Sequence, residues 1–158
     1  MGNAPISGQM LSRVFRRREG RRSFPKGSQH GCRTAISPEP GHFLRKEVNY
    51  NDPGIASGYV IGRLPAGAQI TQALARVKTT FNAGTTNVLT IGTNASSYDN
   101  SLGAADIAEG STGNNAAPTA NLQEAASETD VYVKYTQTGT AASQGKAIIH
   151  IAYTVNNG

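Results

Sequence analysis

Towards the end of the chain, apolar and polar residues alternate with a period of two. Ala147, Ile149, Ile151, Tyr153 and Val155 fall on one face of an extended segment, and Ile148, His150, Ala152 and Thr154 on the other. Successive side chains of a strand point to opposite faces, so this run predicts a half-buried β-strand. Val131, Val133 and Tyr135 alternate with Tyr132, Lys134 and Thr136 in the same way. The segment from Thr138 to Gly145 reads as the connecting loop, which would make the two strands antiparallel neighbours.

Earlier segments carry weaker versions of the same signal. Tyr59-Val60-Ile61 predicts a short strand closed by Pro65 and Gly67. Asn87 to Ile91 predicts another, after the turn residues Asn82, Ala83 and Gly84 and ending at Gly92. Between them, Gln69 to Phe81 holds two periods at once. Ile70, Leu74, Val77 and Phe81 stand at helical spacing, whereas Ala73, Ala75, Val77, Thr79 and Phe81 stand at spacing two. The β-rich run from Val77 to Phe81 favours a strand, and a β-bulge accommodates Ile70 and Leu74, which are out of phase. Residues 95–118 read as a long Gly/Ser/Asn/Ala loop anchored by Leu102 and Ile107, with a further strand beginning at Ala120 to Gln123. Six to eight short strands with little helix predict an all-β fold, a jelly-roll-like β-sandwich over residues 48–158.

Upstream of Val48 neither period is sustained. Met10, Leu11, Val14 and Phe15 make at most one amphipathic turn, and Pro25, Gly27, Pro38, Pro40 and Gly41 punctuate the remainder of the segment. Charge divides the chain at the same place. Residues 1–47 hold ten Arg and Lys against three Glu, a net +7, while residues 48–158 hold five against seven acids, a net −2. The sequence pI near 9.6 therefore belongs to the first segment. Residues 1–47 read as an extended basic N-terminal arm that orders only against a partner. Cys32 is the only cysteine, which excludes an intrachain disulfide and a multi-cysteine zinc site. No stretch approaches the ~20 apolar residues of a membrane helix, so no membrane partner is expected.

Candidate chemistry is sparse. His30 and His42 lie in the arm and His150 lies in mid-strand. A general base needs a positioned carboxylate and a nucleophile within reach, and the chain has no nucleophile elbow, phosphate-binding loop, dinucleotide fingerprint or zinc-protease helix. His150 reads as a surface or subunit-interface residue, and neither catalytic activity nor a cofactor is expected. Asp99, Asp106 and Glu109 share one Gly-rich loop, but their spacing is not that of a calcium-binding loop, and they read as turn formers. The basic run Arg16, Arg17, Arg18, Arg21 and Arg22, flanked by Phe15 and Phe24, suits two partners. It can neutralise phosphates while the aromatics stack on bases, or it can dock on an acidic protein surface, the preferred reading.

Three pieces of the body carry a family resemblance: the P-A-G-A-x-I-T turn at Pro65 to Thr71, F-N-A-G-T-T-N-V-L-T at Phe81 to Thr90, and Y-x-Q-T-G-T from Tyr135. With these, most of residues 48–158 resembles the small structural proteins of tailed bacteriophages. The resemblance implies a jelly-roll-like β-sandwich in the virion. It further implies a head decoration (cement) protein on the capsid exterior, sitting as a homotrimer on the lattice of the major capsid protein. The long arm departs from that family's short leaders; it is either a clamp across neighbouring subunits or the product of an upstream start codon. As a clamp, its anchors would be Leu11, Val14, Phe15, Phe24, Phe43 and Leu44, with the arginines pairing acidic sites. The competing reading is a tail, fibre or host-recognition β-sandwich that binds carbohydrate.

Overall fold

In the computed structural model, which describes residues 41–155, the two clearest alternating runs of the larger sheet become β3 (Ala68–Thr79) and β8 (Lys146–Val155). They pair antiparallel, with Ala73 opposite Ile151, Ala75 opposite Ile149 and Val77 opposite Ala147. The bulge expected in β3 falls between Ile70 and Gln72. It leaves Thr71 and Gln72 both exposed and returns Ile70 to the buried side with Ala73, Ala75 and Val77. Leu74 keeps the opposite phase and lies half-buried on the outer side.

β1 (His42–Asn49) lies antiparallel to β8 on its other side, with Val48 opposite Ala147 and Leu44 opposite Ile151. The short strands β5 (Gly113–Ala116) and β6 (Glu124–Ala125) both pair with β3 and complete a five-stranded sheet. A second sheet has three antiparallel strands in the order β2 (Tyr59–Leu64), β7 (Thr129–Thr138), β4 (Thr86–Gly92). The two sheets make an all-β sandwich. Its core contains Val48, Ile70, Ala75, Val77, Ile149 and Ile151 from the larger sheet and Leu64, Leu89, Ile91, Val131, Val133 and Tyr135 from the smaller. Each large aliphatic side chain among them contributes about 1.5–3 kcal/mol when fully buried.

Three sequence expectations change. β7 and β8 are not neighbours; each belongs to a different sheet. Both carry an apolar inward face, and the segment between them has length enough to cross the ~10 Å between layers instead of turning back as a hairpin. Gly139, at φ +82°, starts the crossing where a side chain would strike Thr85. Asn82 then holds the loop, its Oδ1 accepting from the backbone N–H of Ser143 and of Gln144 at 2.9 and 3.1 Å. The segment Ala120 to Gln123 does not open a strand. A 3-10 turn at Thr119–Asn121 occupies its start, and β6 begins at Glu124. Finally, the expected boundary at Val48 falls inside β1, so Phe43 and Leu44 belong to the sheet and not to a free arm.

Ile151 is fully buried at the centre of the larger sheet, opposite both Leu44 and Ala73. Ile151→Ala should destabilise the domain by about 2–5 kcal/mol, read as a lower urea midpoint with an unchanged slope.

Candidate functional site

The outer faces of the two sheets are the places where a partner can act, and they differ. On the smaller sheet, the β4–β5 loop folds back over the surface. Tyr98 takes φ +57°, the only non-glycine with positive φ among the described residues. This conformation costs about 1–3 kcal/mol for a bulky residue. It lays the Tyr98 ring over Gly58 and 4.8 Å from the ring of Tyr132, with Lys134 Nζ 6.0 Å from its centroid. Asn94 secures the turn: its Oδ1 accepts from the Asp99 N–H at 3.0 Å and its Nδ2 donates to Ser97 Oγ at 2.7 Å. Amide and hydroxyl donors hold the Asp99 carboxyl below its usual range, Asn94 most strongly and Ser97 after it.

The same loop closes the free edge of β4. Ile91 and Leu102 exchange two backbone hydrogen bonds of 2.9 Å, and Glu109 Oε1 accepts from the Leu89 N–H at 2.7 Å. Glu109 is only 7% exposed. Burial pushes its carboxyl above the ordinary value of 4.5, and the Leu89 N–H opposes this only in part. Asp106 makes a local turn through the Gly103 N–H at 2.7 Å. Asp99 and Asp106 are thus turn formers, as their spacing suggested, whereas Glu109 is an edge cap. No group of three or more His, Cys, Asp or Glu among the described residues is placed to hold a metal.

On the larger sheet nothing among the described residues folds back over the central strands. His150 projects outward from β8 and stacks on Phe43 of β1, ring centroids 5.5 Å apart. Phe43 is 64% exposed, the largest exposure of any bulky apolar residue described. Beside them, on the same phase, lie Leu74, Ile148 and Ala152. A strand covered on one side usually carries polar residues on the other. The apolar outward residues Ile148 and Ala152 were legible in the sequence, but only the pairing of β1 with β8 brings Phe43 to them. Leu44 points inward and packs against Gly62, where a side chain would overlap it. That packing withdraws Leu44 from the set of exposed anchors. Leu11, Val14, Phe15, Arg16, Arg17, Arg18, Arg21, Arg22 and Phe24 lie outside the described residues.

One end of the sandwich holds a cavity of about 220 Å³ between Leu64, Ile70, Asn100, Gln123, Ala125 and Thr129. This is below the ~300–1,000 Å³ of typical ligand pockets. A larger hollow of about 390 Å³ beside Arg76, Lys78 and Asn114 is a shallow groove open to solvent.

No family model matches the chain, and no curated protein matches it. Solved structures share its fold. A chain in the acidic stable capsid structure of Helicobacter pylori bacteriophage KHP30 aligns with TM-score 0.56 and 16% identity, over 72% of this chain and 86% of that one. A chain of the cyanophage Pam1 capsid asymmetric unit aligns with TM-score 0.60 and 16% identity, over 87% and 97%. A chain in the capsid of Ralstonia phage GP4 aligns with TM-score 0.53 and 19% identity, over 77% and 87%. The β-sandwich is thus a fold found in phage capsids.

The buried carboxyl makes stability depend on pH in a definite sense. A group whose value is raised by folding stabilises most below its unfolded value, and that contribution is lost as pH rises through the folded value. The Glu109 contribution should therefore fall from acid towards neutral pH. Glu109→Gln keeps the acceptor without the charge. It should melt no lower than wild type at neutral pH and show a flatter melting temperature between acid and neutral pH. Glu109→Ala leaves the Leu89 N–H without its acceptor and should cost about 1–3 kcal/mol.

Proposed function

We propose that the chain is a virion structural protein that decorates a phage capsid. In this reading it binds the lattice of the major capsid protein from outside, as a homotrimer, and cements neighbouring subunits. The observation that carries the reading is the fold likeness to chains of three phage capsid structures, which extends over nearly the whole of each matched chain. The paired coverages make each matched chain about as long as this one, a size that suits a part added to a lattice better than the lattice floor itself. The surface supports the same role. The described residues offer outer sheet faces, a small cavity, an open shallow groove and no metal cluster, which suits contact with a macromolecule more than chemistry on a small one.

The basic segment has the second part in this role. Arg16, Arg17, Arg18, Arg21 and Arg22 would pair acidic sites on adjacent shell subunits, with Leu11, Val14, Phe15 and Phe24 as apolar anchors. Ordering such a segment costs about 1–2 kcal/mol per residue in backbone entropy, so these anchors would have to offset it.

Purified particles should contain the chain in numbers comparable with the shell subunits; a handful per particle would favour the tail or fibre reading. Replacing the five arginines by Ala in the full chain should weaken binding to bare heads at low salt more than at high salt, because exposed charge pairs are screened. Equal binding at both salt levels would remove the arm from the clamp.

A further inference from the structure

We infer that the outer face of the five-stranded sheet is the surface that seats on the partner, and that the partner presents acidic side chains around an apolar contact. The partner being the capsid shell rests on the function proposed above; the face and its chemistry rest on the geometry of the sheet itself.

The centre of the face is apolar. Phe43 is stacked on His150 and flanked by Leu74, Ile148 and Ala152, with no described loop over them. The smaller sheet is covered in part by the Tyr98 loop and exposes Val60 (45%) less than the larger sheet exposes Phe43 (64%), so the two faces are not equivalent. The rim is basic. Arg45, Arg76 and Lys146 project from β1, β3 and β8, and Lys78 lies exposed at the second register shift of β3. Two acids share this face: Glu47 on β1, occupied by Lys146 at 3.0 Å, and the exposed Glu124 on β6, opposite Gln69 at the other end of β3 from Arg76 and Lys78. Arg45, Arg76 and Lys78 have no ion-pair partner among the described residues. Arg76 and Lys78 also line a shallow groove whose wall is Gly113 and Asn114, open to an incoming carboxylate.

This concentration is not the average of the domain. Residues 41–155 hold seven Arg and Lys and eight Asp and Glu, so they are slightly acidic as a whole. Two such faces meeting about a twofold axis would set like charges together, which disfavours self-association through this surface. A single-stranded nucleic acid would want several aromatics along its path, and Phe43 is the one strongly exposed ring here. An acidic protein surface satisfies both the rim and the centre. The three long strands β1, β8 and β3, of 8, 10 and 12 residues, at ~4.8 Å spacing make a footprint of about 500 Å², less than the ~800 Å² per partner of a standard interface. The face alone should therefore bind weakly and depend on repetition over a lattice or on a second contact.

The test uses full-length protein, as wild type, Phe43→Asp and the double variant Arg76→Glu/Lys78→Glu. Each is co-sedimented with shells of the phage that encodes it, stripped of this protein. All the altered side chains are exposed, so unchanged thermal melting establishes that each variant folds. Wild type should sediment with the shells, and each variant should bind at least about tenfold more weakly. Variants that sediment as well as wild type would overturn the assignment of the face and leave capsid decoration standing. Wild type that fails to sediment would refute the decoration reading, and this inference with it. A change of oligomeric state by light scattering in the variants, or loss of retention on single-stranded DNA without loss of shell binding, would assign the face to another partner and overturn the inference.

Discussion

The structure depends on one contact, the packing of the inward rows of two antiparallel sheets. Ile149 and Ile151 of β8 lie at the centre of one layer, and Val131, Val133 and Tyr135 of β7 at the centre of the other. No α-helix covers either sheet among the described residues, and a lone Cys32 gives no intrachain disulfide. With a single interlayer as the source of apolar burial, every strand must keep one side buried, and the other side is left for other uses. Edges need management in such a design. At β4 the backbone of Leu102 and the carboxylate of Glu109 close the edge. At β1 the exposed Lys46 stands on the inward phase between Leu44 and Val48, and a charge there discourages another strand from joining.

That division explains the asymmetry of the surface. The β4–β5 loop both closes an edge and covers part of the smaller sheet, holding Tyr98 in a strained conformation to do so. The larger sheet, with β8 at its centre and β1 at its margin, remains open and carries an apolar centre inside a basic rim. Under the proposed function, the open sheet face and the strongly basic segment would be two unequal contacts with one surface. The likeness to phage capsid chains is a likeness of fold.

Much of the sandwich was legible because half-buried strands write their burial as alternation. β8, β7 and the bulged β3 all stood out on that signal. β1 did not, since an edge strand has weaker burial constraints and Lys46 interrupts its inward phase. The partnering of β7 was misread for a related reason: alternation reports which side of a strand is buried, not which strand lies beside it. Glu109 looked like one more loop acid, because its role depends on the Leu89 N–H, which is far from it along the chain. The outward residues Ile148 and Ala152 were visible in the alternation, but the patch they form with Phe43 exists only through the β1–β8 register.

A reconstruction of the native particle at side-chain resolution tests the capsid role and the seating of the sheet together. It should show this β-sandwich at regular positions on the outside of the shell, with Phe43, Arg76 and Lys78 turned towards acidic side chains of the lattice. Absence of the sandwich from the shell lattice would contradict both, and its attachment through the Tyr98–Tyr132 side with the larger sheet facing solvent would contradict the seating.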